Sequence, residues 1–176
     1  MHKSSYLNMS HFIEAYLDKK VVTRIIDIGS MNIHGCYKSL FDVPAWEYLG
    51  ADIVKGANVD IILKDVYDWS QLPDNEFDVV ISGQTFEHVE FFWLTIKEMA
   101  RILKPGGFMC IIAPSGGKEH RYPVDCWRFY PDGMKALAKW AGLTVLESYA
   151  QWDLKKHPTM DKHWRDCVLI AKKEKV

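Results

Sequence analysis

The chain has 176 residues, 48% of them apolar, with 22 Lys and Arg against 23 Asp and Glu and a net charge of −1. That length suits one domain, residues 1–176, with a sizeable core, and the charge balance argues against a general nucleic-acid or membrane-surface partner. No apolar run reaches the roughly 18 residues that span a bilayer. The opening residues are polar and mixed, and Cys36, Cys110, Cys126 and Cys167 form no Cys-x-x-Cys pair. A cytoplasmic protein with four reduced thiols is expected.

Met9, Phe12, Ile13, Tyr16 and Leu17 recur at helical spacing and predict a helix within residues 1–22, capped at Asn8 or Ser10. It covers a sheet or lids a ligand site. Arg24 to Ile28 reads as a buried strand running into Asp27-Ile28-Gly29. A strand, a Gly-bearing turn and a helix make the crevice where α/β sheets hold nucleotides. The dinucleotide pattern Gly-x-Gly-x-x-Gly is absent, because Met31 stands where the second glycine would be. Gly35 to Phe41 is expected as a short helix. Glu47 to Ile53 is expected as a second strand, with Asp52 placed 25 residues after Asp27, where an acid bonds ribose hydroxyls. Val59 to Asp65 reads as a short edge strand that brings Asp65 and Val66 to the same crevice.

Phe77 to Ser82 is a near-continuous apolar run, so a central strand, ending at Gly83-Gln84. Val89 to Leu103 carries helical spacing and stops at Lys104-Pro105-Gly106-Gly107; Phe108 to Ala113 is the next strand. Residues 114–130 have no periodicity but hold His120, Arg121, Tyr122, Asp125, Trp127 and Arg128. A loop so long and aromatic is read as functional. A helix from Pro131 to Gly142, a strand from Leu143 to Ser148, a second irregular stretch at 151–165 and a strand from Asp166 to Ala171 complete the chain. The final strand follows without a helix and is expected to run antiparallel.

Four stretches together resemble the class I S-adenosylmethionine-dependent methyltransferases over nearly the whole length. They are Ile25-Ile26-Asp27-Ile28-Gly29-Ser30; Tyr48-Leu49-Gly50-Ala51-Asp52; Phe77-Asp78-Val79-Val80-Ile81-Ser82 with Phe86-Glu87-His88-Val89; and Arg101-Ile102-Leu103-Lys104-Pro105-Gly106-Gly107. Within them, His120 to Pro131 resembles a subgroup of small bacterial methyltransferases associated with cell-surface saccharide genes. The resemblance implies a Rossmann-like three-layer α/β sandwich on a mostly parallel seven-stranded sheet with an antiparallel last strand. It implies that Asp27, Gly29 and Ser30 hold the methionine end of the cofactor. Asp52 would bind the ribose, Ile53, Asp65 and Val66 would meet the adenine, and Gly83 and Gln84 would pass near the methyl.

The chain departs from the family at Gly29-Ser30-Met31, where Gly-x-Gly is usual. Some relatives bind a divalent metal through Glu-x-x-Glu-His; here the first position is Gln84, a neutral amide, so no metal is expected. The acceptor is expected to be a small molecule or saccharide. His120 is the first candidate base and Asp125 the second, with Arg121, Tyr122, Trp127 and Arg128 binding the acceptor; segments 114–130 and 151–165 would form its site or lid. A non-catalytic cofactor-binding scaffold stays open as the alternative, and a nicotinamide oxidoreductase is the weaker third.

Overall fold

A computed structural model describes residues 2–153 and 161–175. Seven strands form one sheet: β1 (Thr23–Ile28), β2 (Trp46–Asp52), β3 (Ile61–Ile62), β4 (Phe77–Gly83), β5 (Leu103–Pro114), β6 (Thr144–Ala150) and β7 (Asp166–Lys172). Their order across the sheet is β3-β2-β1-β4-β5-β7-β6. The pairs β1–β2, β1–β4, β2–β3 and β4–β5 are parallel. The last strand, β7, inserts between β5 and β6 and runs against both. The expected fold class is the observed one.

Side-chain alternation along the strands explains the three layers. Ile25, Val79, Ile81, Cys110, Ile112, Val168 and Ile170 point to one face and pack with Met9, Phe12 and Ile13 of α1 (Lys3–Tyr16). Their neighbours Ile26, Val80, Met109, Ile111 and Leu169 point to the other face. There they meet Ile96 and Met99 of α2 (Phe92–Ile102) and Met134, Leu137 and Ala138 of α3 (Pro131–Trp140).

The first helix starts earlier than expected. Lys3 opens it, so Asn8 and Ser10 lie inside, and no side chain caps it. A cap is worth about 1 kcal/mol, whereas each of three buried apolar side chains contributes about 1.5–3 kcal/mol; packing outweighs the missing cap. Its first turns also bury a polar stripe of Ser4, Ser5 and Asn8. Asp166, wholly buried at the start of β7, accepts hydrogen bonds from Ser4 Oγ at 2.7 Å and Asn8 Nδ2 at 3.5 Å, with His2 Nε2 at 2.7 Å. Ser5 Oγ meets Tyr37 OH at 2.6 Å. Polar residues at these positions hid the helix start from an apolar-periodicity reading.

Three other boundaries differ. The helix expected over 35–41 is a single 3₁₀ turn, Lys38–Leu40. Only Ile61 and Ile62 of the expected third strand pair, at the sheet edge. The Lys104 to Gly107 stretch is not a loop between helix and strand: Leu103 pairs with Phe77, and the register shifts before Val79 pairs with Phe108. Gly106 takes φ +85° within that bulge. No helix among the described residues is long and apolar enough to cross a membrane.

Candidate active site

The chain winds one way from β1 to β3 and the other way from β4 onward, so the carboxyl ends of β1 and β4 mark a switch point, the usual place for a ligand crevice. A cleft of about 950 Å³ opens there. A smaller one, about 370 Å³, lies at the opposite strand ends around Thr23, Asp78 and Gly107. The larger cleft gathers most of the expected site residues. Asp27, Gly29, Ser30, Asp52, Ile53, Val66, Gly83, Gln84, His120, Arg121 and Tyr122 line it. Asp65, Asp125, Trp127 and Arg128 stand outside its lining.

One half is built on strand ends. Gly29 turns the chain at φ +77°, and a Cβ there would sit 2.2 Å from Thr85 Oγ1. Gly29 N and Ser30 N both donate to Ala51 O, at 2.8 and 3.1 Å, closing the turn onto β2. Asp52 accepts from Met31 N at 3.1 Å through one oxygen and from Val54 N at 3.2 Å through the other. Met31 thus joins the turn to the acid through its backbone. Asp27 is buried; Tyr48 OH donates to it at 2.6 Å, and Asn58 Nδ2 in turn donates to Tyr48 at 3.1 Å. Burial pushes the Asp27 carboxyl up to about 7, against the lowering effect of the Tyr48 bond. Gly83 is required because a Cβ would fall 2.0 Å from the buried Tyr37 hydroxyl. Ile53, Val54, Leu63, Val66 and Trp69 supply an apolar wall at this end.

The other half is built from residue 84 onward. Gln84 takes φ +57°, and its amide donates to Asp166 at 3.0 Å and Ser5 at 3.3 Å. Its side chain is therefore held by α1 and β7. Glu87 lines the cleft yet is buried, and burial pushes its carboxyl up to about 8. Beside it stand His88 and His120, ring centroids 4.8 Å apart, with Tyr122 6.0 Å from His88 and Trp164 4.4 Å from His120.

Four expected site residues sit elsewhere, each for a visible reason. Asp125 is packed behind His120. One oxygen takes Arg128 Nη1 at 2.6 Å; the other takes Arg128 Nη2 at 2.8 Å and His120 N at 2.6 Å, with His120 Nδ1 at 3.2 Å. The Arg128 guanidinium holds the Asp125 carboxyl well below the usual range. A carboxylate so committed is a poor base, so its expected role gives way to one of support. Arg128 is spent on Asp125 and on the Lys118 and Trp127 carbonyls. Trp127 donates to Glu90 O at 3.1 Å and packs on Phe92 and Trp93. Asp65 accepts from Tyr67 N at 2.6 Å and Asp68 N at 3.1 Å, and so pins its own turn. Of the stretch expected at 151–165, Trp164 lines the cleft and residues 154–160 lie outside the described residues.

Residues 39–111 match the family model described as methyltransferase domain. No curated protein matches the chain in sequence. Among solved structures, the 1,6-didemethyltoxoflavin-N1-methyltransferase of Burkholderia thailandensis, bound to 1,6-didemethyltoxoflavin and S-adenosylhomocysteine, superposes with a TM-score of 0.72. It shares 15% identity, over 97% of this chain and 79% of that one. An S-adenosylmethionine-dependent methyltransferase of Archaeoglobus fulgidus gives 0.66, at 18% identity over 96% and 95%. A chain from the complex of the Haloferax volcanii Trm112 methyltransferase activator with a methyltransferase gives 0.69, at 18% identity over 97% and 91%.

Residues 39–111 thus resemble a methyltransferase domain, and the chain as a whole shares the fold of these solved methyltransferases. Several residues of the cleft were not among those expected at the site: Tyr37, Thr85, Glu87, Trp69, His2 and Trp164. Thr85 and Glu87 carried a signal, since they follow a central strand where α/β sheets place ligands. His2 and Trp164 carried none, because they reach the cleft only through the pairing of Asp166 beside Pro114.

Proposed function

We propose that this methyltransferase acts on a small-molecule acceptor of saccharide class in the cytoplasm. The carrying observation is the ring-walled end of the cleft, where His88, His120, Tyr122 and Trp164 offer flat faces. Such faces stack on a sugar or ring. The balanced net charge of −1 gives no basic stripe for a nucleic acid. The free cysteines Cys36, Cys110, Cys126 and Cys167 fit a reducing compartment.

Bound S-adenosylmethionine supplies an electrophilic methyl on a sulfonium. The chain's part is to hold and align. Asp52 takes the ribose hydroxyls, and Ile53 and Val66 flank the adenine. The Asp27-Gly29-Ser30 turn would hold the methionine end, Asp27 offering a carboxyl to a cationic group. Gly83 and the Gln84 backbone leave room near the methyl. In-line alignment is most of the catalysis, because the leaving group is neutral.

His120 receives the acceptor's proton in the ion-free enzyme. Asp125 and Arg128 position it from behind. Burial and the neighbouring His88 lower the His120 pKa, keeping its imidazole neutral and able to accept. Arg121, whose side chain pairs with Glu119 at 2.8 Å, stands at the cleft wall as the available grip for an anionic substituent.

The test is release of S-adenosylhomocysteine from purified protein with S-adenosylmethionine and a panel of saccharides, nucleosides, small amines, transfer RNA and protein extract. Turnover confined to saccharides or related hydroxyl compounds is expected. Turnover confined to RNA or protein would overturn the reading.

A further inference from the structure

Glu87 is a buried side chain left without hydrogen-bond partners among the described residues. It is 1% exposed, and neither of its oxygens accepts a hydrogen bond from another residue. An unpaired carboxyl group shut away from water is costly, and folds seldom keep one unless something else satisfies it. Its nearby ring nitrogen, His88 Nε2, stands 3.7 Å from Oε1. Ligand atoms of Glu87, His88 and His120 all lie within 4.8 Å of one another.

The two imidazoles are set for the same task. His88 Nδ1 lies 2.6 Å from Val124 O, and a carbonyl can only accept, so the proton sits on Nδ1 and the lone pair on Nε2. His120 Nδ1 faces the Asp125 carboxylate at 3.2 Å, which fixes the same tautomer. Asp125 is itself locked by Arg128 at 2.6 and 2.8 Å. A histidine whose far nitrogen is anchored on a carbonyl or carboxylate is the usual supporting arrangement around a bound metal ion.

We propose that Glu87, His88 and His120 form a divalent metal site for a first-row transition ion such as Mn²⁺ or Zn²⁺. Two imidazoles and one carboxylate favour such ions over Mg²⁺ or Ca²⁺, which take oxygen sets. Neighbouring ligand atoms on such an ion lie about 3 Å apart, given bonds of about 2.1 Å. The half-exposed His120 ring must therefore draw in slightly on binding. The expectation of no metal rested on the amide at Gln84. That side chain is committed to Asp166 and is not needed, because His120 arrives from another segment to complete the set.

The remaining positions of the ion face the acceptor end of the cleft. This deepens the acceptor reading above and rests on it only for what meets those positions. With the ion bound, the His120 lone pair is spent on it, and an acceptor oxygen meets the ion instead.

The test needs no acceptor and no turnover, so its failure is separable from failure of the acceptor reading. Chelator-stripped protein is titrated with Mn²⁺ and with Zn²⁺ by calorimetry, and Mn²⁺ uptake is followed independently by electron paramagnetic resonance. One ion per chain is expected. Glu87→Gln and His120→Ala should each weaken it by ~100-fold, and Asp125→Asn by ~10- to 100-fold through the supporting bond. S-adenosylhomocysteine affinity, measured on the same variants, should stay unchanged and reports an intact fold. Should Glu87→Gln fail to fold, the more exposed His120→Ala decides. Absence of saturable uptake of both ions, or uptake indifferent to His120→Ala, overturns the site.

Discussion

The two halves of the cleft are made in different ways. The proposed cofactor half is local: Asp27, Gly29 and Ser30 follow one strand, Asp52 ends its neighbour, and the register sets Asp27 opposite Gly50. The proposed acceptor half is assembled from distant pieces. Glu87 and His88 follow β4, His120 sits in the long loop, Trp164 precedes β7, and His2 reaches in from α1. The first half is a backbone device, held by main-chain bonds to Ala51 and Asp52. The second is a side-chain device, in which buried carboxylates at Asp125, Asp166 and Glu87 organise rings and helices around them. Damage to one half should therefore leave the other readable.

The sharpest separation comes from His120→Ala. Turnover should fall by ~10²- to 10⁴-fold, the range for a lost proton-transfer group, while calorimetric affinity for S-adenosylhomocysteine stays as it was. A matching loss of cofactor affinity would join the halves and break the comparison. Asp52→Ala should do the reverse. Hydrogen bonds to a charged partner are worth roughly 1.5–3 kcal/mol, so cofactor affinity should drop about 10- to 150-fold, with any residual turnover recovered at saturating cofactor.

A subtler probe uses pH. The buried Asp27 carboxyl rises from 3.8 to about 7 on folding. Between those values the folded chain holds a proton that the unfolded chain has released. Stability of the cofactor-free protein should thus fall as pH climbs through that window. Asp27→Asn should reduce the slope of melting temperature against pH there, with the buried Glu87 keeping its own share; an unchanged slope would show that Asp27 carries none of it. The smallest effect is expected from Asp65→Ala, an exposed turn residue outside the cleft lining. Its cost should stay near 0.5 kcal/mol in a melting experiment, with cofactor affinity unaltered.

How much was legible follows the same division. The strand-turn signals at Ile25 to Ser30 and Tyr48 to Asp52 marked the strand-end half of the cleft, because its residues stand in short consecutive runs. The fold, including the reversed closing strand, followed from the missing helix before Asp166. Asp125, Trp127 and Arg128 were misjudged because a sequence lists polar residues without saying which of them consume one another. Arg128 and Asp125, three residues apart, neutralise each other behind the site. Glu87 was passed over as a site residue, since nothing in Phe86-Glu87-His88 announces that its oxygens lack donors. The start of α1 was hidden by buried serines whose partner, Asp166, lies 162 residues from Ser4.

That last contact has a consequence for the order of assembly. Asp166 joins His2, Ser4 and Gln84 at one point, and α1 packs on β5 and β7, both made long after it. During synthesis the first helix leaves the ribosome with no surface to rest on. Its seat is complete only when the seventh strand has slotted between the fifth and sixth. The wall of the cleft bearing His2 and Trp164 is therefore finished last, and a nascent chain has no working site until its sheet is closed.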